Sequence, residues 1–117
     1  MRRLKMGETC WLWSARHRCG GGCCEVLSLH RDELPATLRL IFRAGPDRFI
    51  ADALRPTGSL SNGSTALNLH EPGVVRLFID EAVAHGAVPG ACEEKETDGW
   101  PFFDRLIGRA APGRHHA

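Results

Sequence analysis

The alternation of apolar and polar residues predicts two strands in the first third of the chain. Residues 8–15 are rich in aromatic side chains and lack helix formers, which is typical of a strand. Residues 25–30 alternate, with Leu27 and Leu29 toward the core, and form a second predicted strand. Between them, residues 16–22 end in three glycines and are predicted to be a loop.

A β-hairpin is predicted around the sequence Ala44-Gly45-Pro46-Asp47. Residues 37–43 and 48–54 flank it, and Gly45-Pro46 at the centre of a two-residue turn fits type II′ geometry. The predicted register pairs apolar residues on one face, namely Phe42 with Phe49, Leu40 with Ala51, and Leu38 with Ala53. On the other face it pairs the opposite charges of Arg39 and Asp52. We therefore expect Phe42 and Phe49 to be buried neighbours.

Helical spacing predicts one main helix over residues 71–85. Pro72 suits the first turn, where its missing N–H is not needed, and Gly86 suits the position after the last turn. The apolar stripe consists of residues three and four apart, among them Val74, Leu77, Phe78 and Ala82. A short strand is predicted at residues 66–69. A short C-terminal helix is predicted to begin near Asp98-Gly99-Trp100-Pro101.

The remaining segments are predicted to be irregular. Residues 55–65 have the composition of a flexible loop, residues 91–98 form an acidic, mobile run, and residues 109–117 form a disordered polar tail. Residues 1–108 then make a single α+β domain. We expect an antiparallel sheet of four or five strands, with the main helix packed on one face and the short C-terminal helix beside it.

Composition narrows the class of protein but not its activity. Hydrophobic residues make up 43% and charged residues 25%, and the formal net charge of +1 creates no overall field for nucleic acid or a membrane surface. No apolar stretch approaches the roughly 18 to 20 residues that a membrane span requires. We expect a cytoplasmic protein that binds neither nucleic acid nor membranes.

Five cysteines favour reduced thiols or a metal site over a disulfide framework. Cys19 and Cys23, with His17 beside them, are candidate zinc ligands in a glycine-rich segment. The alternative is a loop that carries unmodified thiols, and because no second ligand pair exists we expect no metal or other cofactor. A nucleophilic Cys23 or Cys24 would need a histidine close in space.

Two polar residues precede the main helix in a pattern that suits anion binding. On a strand, Asn68 and His70 project to one side, and the following helix start offers free N–H groups. The alternative is a strand-to-helix junction in which these side chains satisfy the open donors of the helix start. The sequence places no second titratable group there to complete an acid–base pair.

Trp11 and Trp13 share one face of the first predicted strand. They are candidates for stacking on a ligand. The alternative is that they pack in the core, which is the commoner role for such a pair. With Trp100 they could instead form an exposed aromatic patch for a protein partner.

The hairpin, the helix segment Glu-Pro-Gly-Val-Val-Arg and the later Trp100-Pro101-Phe102-Phe103 carry a resemblance. This part of the chain resembles small uncharacterised bacterial proteins in which a hairpin precedes a Pro-x-Val-Val-Arg helix, of the kind carried in mobile gene cassettes (integrons). The shared residues are packing and capping positions. The resemblance carries no catalytic motif that could be transferred to this chain.

The sequence contains no recognisable group of catalytic residues. We therefore expect a non-enzymatic binding or protein-interaction module whose partner is a second copy of the chain or another protein. The alternative is a small-ligand or anion-binding protein, or an enzyme, that uses the junction at Asn68 and His70.

Overall fold

Eight strands and two helices make up the described part of the chain, which comprises residues 1–51, 57–90 and 92–110 of this computed structural model. The strands are β1 (Arg2–Met6), β2 (Thr9–Cys19), β3 (Cys23–Arg31), β4 (Thr37–Arg43), β5 (Phe49–Ile50), β6 (Ser59–Ser61), β7 (Ala66–Asn68) and β8 (Glu94–Asp98). The helices are α1 (Pro72–Ala84) and α2 (Trp100–Ala110). β1, β2, β3, β4 and β8 form a five-stranded sheet in that order, and β5, β6 and β7 form a second sheet.

The five-stranded sheet is antiparallel except at one edge. β2 and β3 form a tight hairpin that closes with Cys19 opposite Cys23. β3 pairs antiparallel with β4 and places Leu27 opposite Leu40. β8 instead runs parallel to β4. Backbone hydrogen bonds of 2.8 Å flank this last pair, from Thr37 N–H to the Glu93 carbonyl and from Gly99 N–H to the Ile41 carbonyl.

Side chains alternate along each strand, so the five-stranded sheet has two different faces. We call one the covered face, defined by the buried residues Trp11, Trp13, Leu27, Leu29, Leu38, Leu40 and Phe42. These residues belong to one apolar cluster with Phe78 of α1 and Phe103 of α2. The Phe42 ring contacts the rings of Phe78 and Trp100 edge-on, with centroids 5.5 Å and 5.4 Å apart.

We call the other side of the sheet the open face, defined by Ser14, Arg16, Arg18, Cys24, Val26, Ser28, His30, Arg39 and Ile41. Its buried apolar cluster contains only Cys24, Val26 and Ile41. No helix residue belongs to that cluster in the described part of the chain.

A buried carboxylate joins the two helices. The Glu81 side chain of α1 is 2% exposed, and it accepts hydrogen bonds from Arg105 Nε at 2.7 Å and pairs with His85 Nε2 at 2.9 Å. Arg109 of α2 also pairs with it. The two arginines compensate a charge that would otherwise be costly to bury.

The predicted α+β class is confirmed, and so are the elements with strong local signals. The main helix begins at Pro72, and Gly86 after its end has a φ of 64°, as the sequence predicts. The short C-terminal helix forms, and the Asp98 carboxylate accepts a hydrogen bond from Trp100 N–H at its start. Both predicted strands near the N-terminus exist, and the short strand before the main helix is β7.

The predicted hairpin between residues 37–43 and 48–54 is wrong. β4 lies between β3 and β8, so Phe42 is opposite Glu25 and Leu40 is opposite Leu27. Phe49 pairs with Ser61 of β6 and is 52% exposed, so it is not a buried neighbour of Phe42. The predicted partners Asp52 and Ala53 lie outside the described residues.

A turn does form at the predicted place, but its centre is shifted by one residue. Gly45 and Arg48 exchange two backbone hydrogen bonds of 3.0 Å, so Pro46 and Asp47 occupy the central positions, and Asp47 has a φ of 55°. The chain then leaves β4, because Arg48 forms two hydrogen bonds with the Asp104 carboxylate of α2, at 2.9 Å and 2.8 Å. Its guanidinium also lies over the Trp100 ring, 4.9 Å from the centroid. These contacts draw the segment toward α2.

Three segments predicted to be irregular contain strands. Residues 94–98 of the acidic run form β8, whose exposed charged side chains suit the edge of a sheet. The predicted loop at 16–22 is shorter, because β2 continues to Cys19. The predicted loop at 55–65 contains β6, and residues 55 and 56 lie outside the described part. Of the predicted tail, residues 109 and 110 belong to α2, and residues 111–117 lie outside the described part.

Candidate functional site

The open face carries a groove of about 650 Å³. It lies across the middle of the sheet, because its lining comes mainly from alternate residues of β2, β3 and β4. The lining residues are Met1, Ser14, Arg16, His17, Arg18, Val26, Ser28, His30, Thr37 and Arg39. A volume of this size is within the range of small-molecule sites in proteins.

Strand register determines how the groove is built. Ser14 of β2 is opposite Ser28 of β3, and Ser28 is in turn opposite Arg39 of β4. Arg16 is opposite Val26 in the next row. Hydroxyls and guanidinium groups therefore line the groove together with Val26, and the groove can combine hydrogen bonding with contact to apolar atoms.

The charged residues that line the groove are all arginines. They are Arg16, Arg18 and Arg39, and the lining contains no aspartate or glutamate. Arg39 Nη1 donates to Glu94 Oε1 at 2.6 Å, at the β8 side. Arg16 and Arg18 form no ion pair with any described residue. Two exposed guanidinium groups therefore remain available for an anion.

His30 adds a second polar feature to the groove. Its Nδ1 atom is buried and has no hydrogen-bond partner among the described residues. Buried polar atoms of this kind are rare, because each unpaired group carries a desolvation penalty.

A second cluster of reactive side chains lies at the hairpin end of the covered face. His17 Nε2 is 3.2 Å from Cys19 Sγ, and His17 Nδ1 is 3.1 Å from Glu25 Oε2. The side chains of His17 and Glu25 are only 8% and 3% exposed. Burial raises the pKa of the Glu25 carboxyl above its ordinary value, while the nearby His17 and His70 act in the opposite direction.

The cysteines depart from the expectation of reduced thiols or a metal site, because one disulfide is present. Cys19 and Cys23 form a disulfide across the end of the β2–β3 hairpin. The register explains the pairing, because the two residues are direct cross-strand neighbours. Cys10, Cys24 and Cys92 are free, and Cys24 is buried on the open face, away from His17.

The junction at Asn68 and His70 does not form part of the groove. Asn68 Oδ1 accepts a hydrogen bond from His70 N–H at 2.8 Å, so the side chain closes a local turn. The His70 carbonyl accepts from Arg2 Nη1 at 3.0 Å, and the His70 side chain is exposed. Asn68 therefore has a local structural role, but no side-chain hydrogen bond caps the start of α1, so the expected satisfaction of the helix-start donors by Asn68 or His70 is not seen.

The tryptophans are core residues. Trp11, Trp13 and Trp100 are 3%, 1% and 6% exposed, so they do not form the exposed aromatic patch that was one of the expectations. Arg2 and Arg31 lie over the rings of Trp13 and Trp11 and shield them at the sheet edge. Neither ring is free to stack on a ligand.

Sequence reasoning missed the groove and Glu25. Residues 16–22 were expected to be a loop, so Arg16 and Arg18 were not assigned to one face of a strand. The available signal was the alternation of Ser14, Arg16 and Arg18, which continues that of the preceding strand. For Glu25, the signal was its place two residues after Cys23, which puts it opposite His17 once Cys19 faces Cys23.

Comparisons with known proteins add no further assignment. No protein-family model matches the chain, and neither the curated proteins nor the solved structures give a significant match. The resemblance to gene-cassette proteins therefore stays a prediction. In the described residues, no helix has the length and apolar character needed to cross a membrane.

Proposed function

We propose that this protein is a non-enzymatic binding module that holds a small anionic ligand, bearing a phosphate or carboxylate group, in the open-face groove. The observation that carries the proposal is the charge of the lining, in which every charged residue is an arginine. Guanidinium groups bind phosphate and carboxylate oxygens through paired hydrogen bonds. Anion binding was the alternative function expected from the sequence. The proposed site is the open-face groove and not the junction at Asn68 and His70.

The groove favours a small ligand over a nucleic acid. Acidic side chains of β8, namely Glu94, Glu96 and Asp98, border the open face on one side. A phosphate backbone extending across the sheet would meet them, whereas a compact anion beside Arg16 and Arg18 would not. The serines and Val26 provide hydrogen-bonding and apolar contacts for the rest of such a molecule.

Calorimetric titration of the full chain with pyrophosphate, and separately with citrate, tests the proposal. We expect at least one of these anions to bind, with an affinity that falls as salt rises. Arg16→Gln or Arg18→Gln should weaken binding about tenfold or more, since a charge-assisted hydrogen bond contributes about 1.5–3 kcal/mol.

The matched control is Arg76→Gln, which removes the same charge from an exposed position on α1, outside the groove. It should leave the affinity unchanged. Failure of both anions to bind, or an equal loss in the Arg76 variant, would contradict the proposal. Binding of pyrophosphate but not citrate would assign the ligand to the phosphate class.

A second candidate is self-association through the same face, and the distribution of charge favours it. By alternation, Arg3 and Lys5 of β1 lie on the same side of the sheet as Arg16 and Arg18, while the acidic residues of β8 lie at the opposite edge. A two-fold axis parallel to the strands would place the basic edge of one copy on the acidic edge of the other.

Sedimentation of the protein at low and high salt tests this candidate. We expect dimers at low salt that dissociate as salt rises, because the pairing is electrostatic. A monomer at all salt concentrations would exclude it. We also propose that the protein is cytoplasmic. Fractionation of the cells that make it tests this location.

A further inference from the structure

Four side chains with metal-binding or supporting chemistry share one end of the covered face. His17 is opposite Glu25, and Cys19 is opposite Cys23 in the next row of the β2–β3 hairpin. Residues two apart on a strand project to the same side, so the four occupy the corners of one small patch. The groove lies on the other face and shares only His17 with this patch, and the proposed anion site does not use these cysteines.

The two sulfurs and the imidazole are the ligand types that zinc prefers. The ligand atoms of His17, Cys19 and Cys23 all lie within 4.8 Å of one another. In a tetrahedral zinc site, the sulfur and nitrogen ligands are separated by about 3.5 to 4 Å, given bond lengths of about 2.3 Å and 2.0 Å. His17 Nε2 already lies 3.2 Å from Cys19 Sγ, and reduction of the disulfide frees the two bonded sulfurs to separate to the spacing that one ion requires.

The sequence spacing is compatible with a shared ion. Three residues separate Cys19 from Cys23, which is within the two to four residues common in structural zinc sites. Those three are glycines, and a Cβ atom built on any of them would meet nothing within 4 Å. The loop therefore leaves room for the two sulfurs to adjust around an ion.

Glu25 supplies the support that a histidine ligand needs. Its carboxylate lies 3.1 Å from His17 Nδ1, and both side chains are nearly buried. A carboxylate at Nδ1 favours the tautomer with its proton on that nitrogen, which leaves the Nε2 lone pair directed toward Cys19. Carboxylate–histidine pairs of this kind orient the ligand and increase its basicity.

We propose that the reduced protein binds one zinc ion through Cys19, Cys23 and His17 Nε2, and that the Cys19–Cys23 disulfide is its metal-free, oxidised form. Two equivalents of a small thiol break the protein S–S bond, form one disulfide between themselves, and leave two protein thiols. Zinc binding then releases the two thiol protons to solvent. In a reducing compartment, the thiols and hence the metal-binding form are favoured.

The experiment is a metal titration of the full chain after reduction with a phosphine, which leaves no thiol to compete for the ion. Zinc is measured by competition with a chromogenic chelator. Cobalt serves as a spectroscopic substitute whose thiolate charge-transfer absorption reports sulfur ligation. We expect one ion per chain in the reduced protein, sulfur ligation in the cobalt spectrum, and no tight binding in the oxidised protein.

Variants separate the ligands from the supporting carboxylate. Cys19→Ser and His17→Gln should each weaken zinc binding by about a hundredfold or more, since each removes one of three ligands. Glu25→Gln should weaken binding about 10- to 100-fold while preserving the stoichiometry and the cobalt spectrum, because it acts through His17. Circular dichroism of each variant establishes that it is folded before titration.

The matched control is Cys92→Ser, which removes a free, exposed cysteine on another part of the chain. It should bind zinc as the unmodified protein does. The proposal is overturned if the reduced protein binds no zinc, if binding is unchanged by Cys19→Ser, or if Cys92→Ser weakens it equally.

Discussion

The two faces of the five-stranded sheet are built from the same strands but have different physical character. On the covered face, Leu27, Leu40 and Phe42 are completely buried in a cluster that also includes helix residues. On the open face, a small cluster of Cys24, Val26 and Ile41 lies among serines and arginines. Apolar burial at about 25 cal/mol per Å² therefore stabilises the fold chiefly through the covered face.

Substitutions on the two faces are therefore expected to have different effects: those on the covered face change stability, and those on the open face change the proposed binding. Substitutions on the covered face remove packing, and close-packed interiors respond to the loss of even a few methylene groups. Substitutions of exposed arginines on the open face remove charge from water-accessible positions, where stability changes are usually small. Exposed arginines of the open face can therefore be replaced without loss of the fold, which suits them to tests of the proposed binding.

The largest expected effect is at Phe42, which is completely buried on the covered face. Phe42→Ala should lower the free energy of unfolding by about 3–5 kcal/mol, because it leaves a cavity between Phe78 and Trp100. Phe49→Ala is the matched control: that ring is 52% exposed, and its loss should cost less than about 1 kcal/mol. Urea unfolding of both variants provides the measurement, and similar losses would contradict the contrast between these positions.

Local signals in the sequence were sufficient for the helices. Pro72 and Gly86 mark the ends of α1 by their own backbone preferences, and the intervening apolar stripe needs no knowledge of the partner surface. The start of α2 is likewise determined by neighbours, with Asp98 capping Trp100. Such elements can be predicted because each signal lies within a few residues of the structure it determines.

Strand pairing could not be predicted in the same way, because one of the two partners of β4, the strand β8, is distant in sequence. The expected hairpin was consistent in its own register, yet β3 and β8 occupy the two edges of β4. β8 reads Glu-Lys-Glu-Thr-Asp and lacks an apolar alternation, so only its backbone reveals it as a strand. The contact between Arg48 and Asp104 also spans more than fifty residues, and nothing near Arg48 indicates it.

The candidate sites show the same difference between features that local sequence signals predict and features that depend on long-range strand pairing. His17, Cys19 and Cys23 were recognised as a group because they are close in sequence. Glu25 can be recognised as a neighbour of this group only when the cross-strand register is known. The groove can likewise be recognised only when β2, β3 and β4 are known to lie side by side. A binding surface composed of alternate residues from three strands has no continuous sequence motif.

An intermediate effect is expected where α2 begins against the covered face. Gly99 is buried, and a Cβ atom at this position would overlap the Phe42 ring. Gly99→Ala should therefore cost about 1–3 kcal/mol through overpacking. Gly73→Ala is the control, since a Cβ there meets nothing within 4 Å and the residue is helical. That substitution should stabilise by up to about 1 kcal/mol. Thermal and urea unfolding distinguish the two, and a neutral Gly99→Ala would show that the covered face is less tightly packed.

The smallest expected effect is at the ion pair on the rim of the open face. Arg39 and Glu94 are 2.6 Å apart, but their side chains are 30% and 66% exposed, so water and salt screen the attraction. A double-mutant cycle with Arg39→Gln and Glu94→Gln should give a coupling energy of about 0.2–1 kcal/mol that decreases as salt rises. Urea unfolding at two salt concentrations measures it. A coupling above about 2 kcal/mol would mean that this pair stabilises the fold as the covered face does. A small coupling together with weaker pyrophosphate binding in the Arg39 variant would support the contrast between the two faces. The Arg39 guanidinium would then contribute to ligand binding and very little to the stability of the fold.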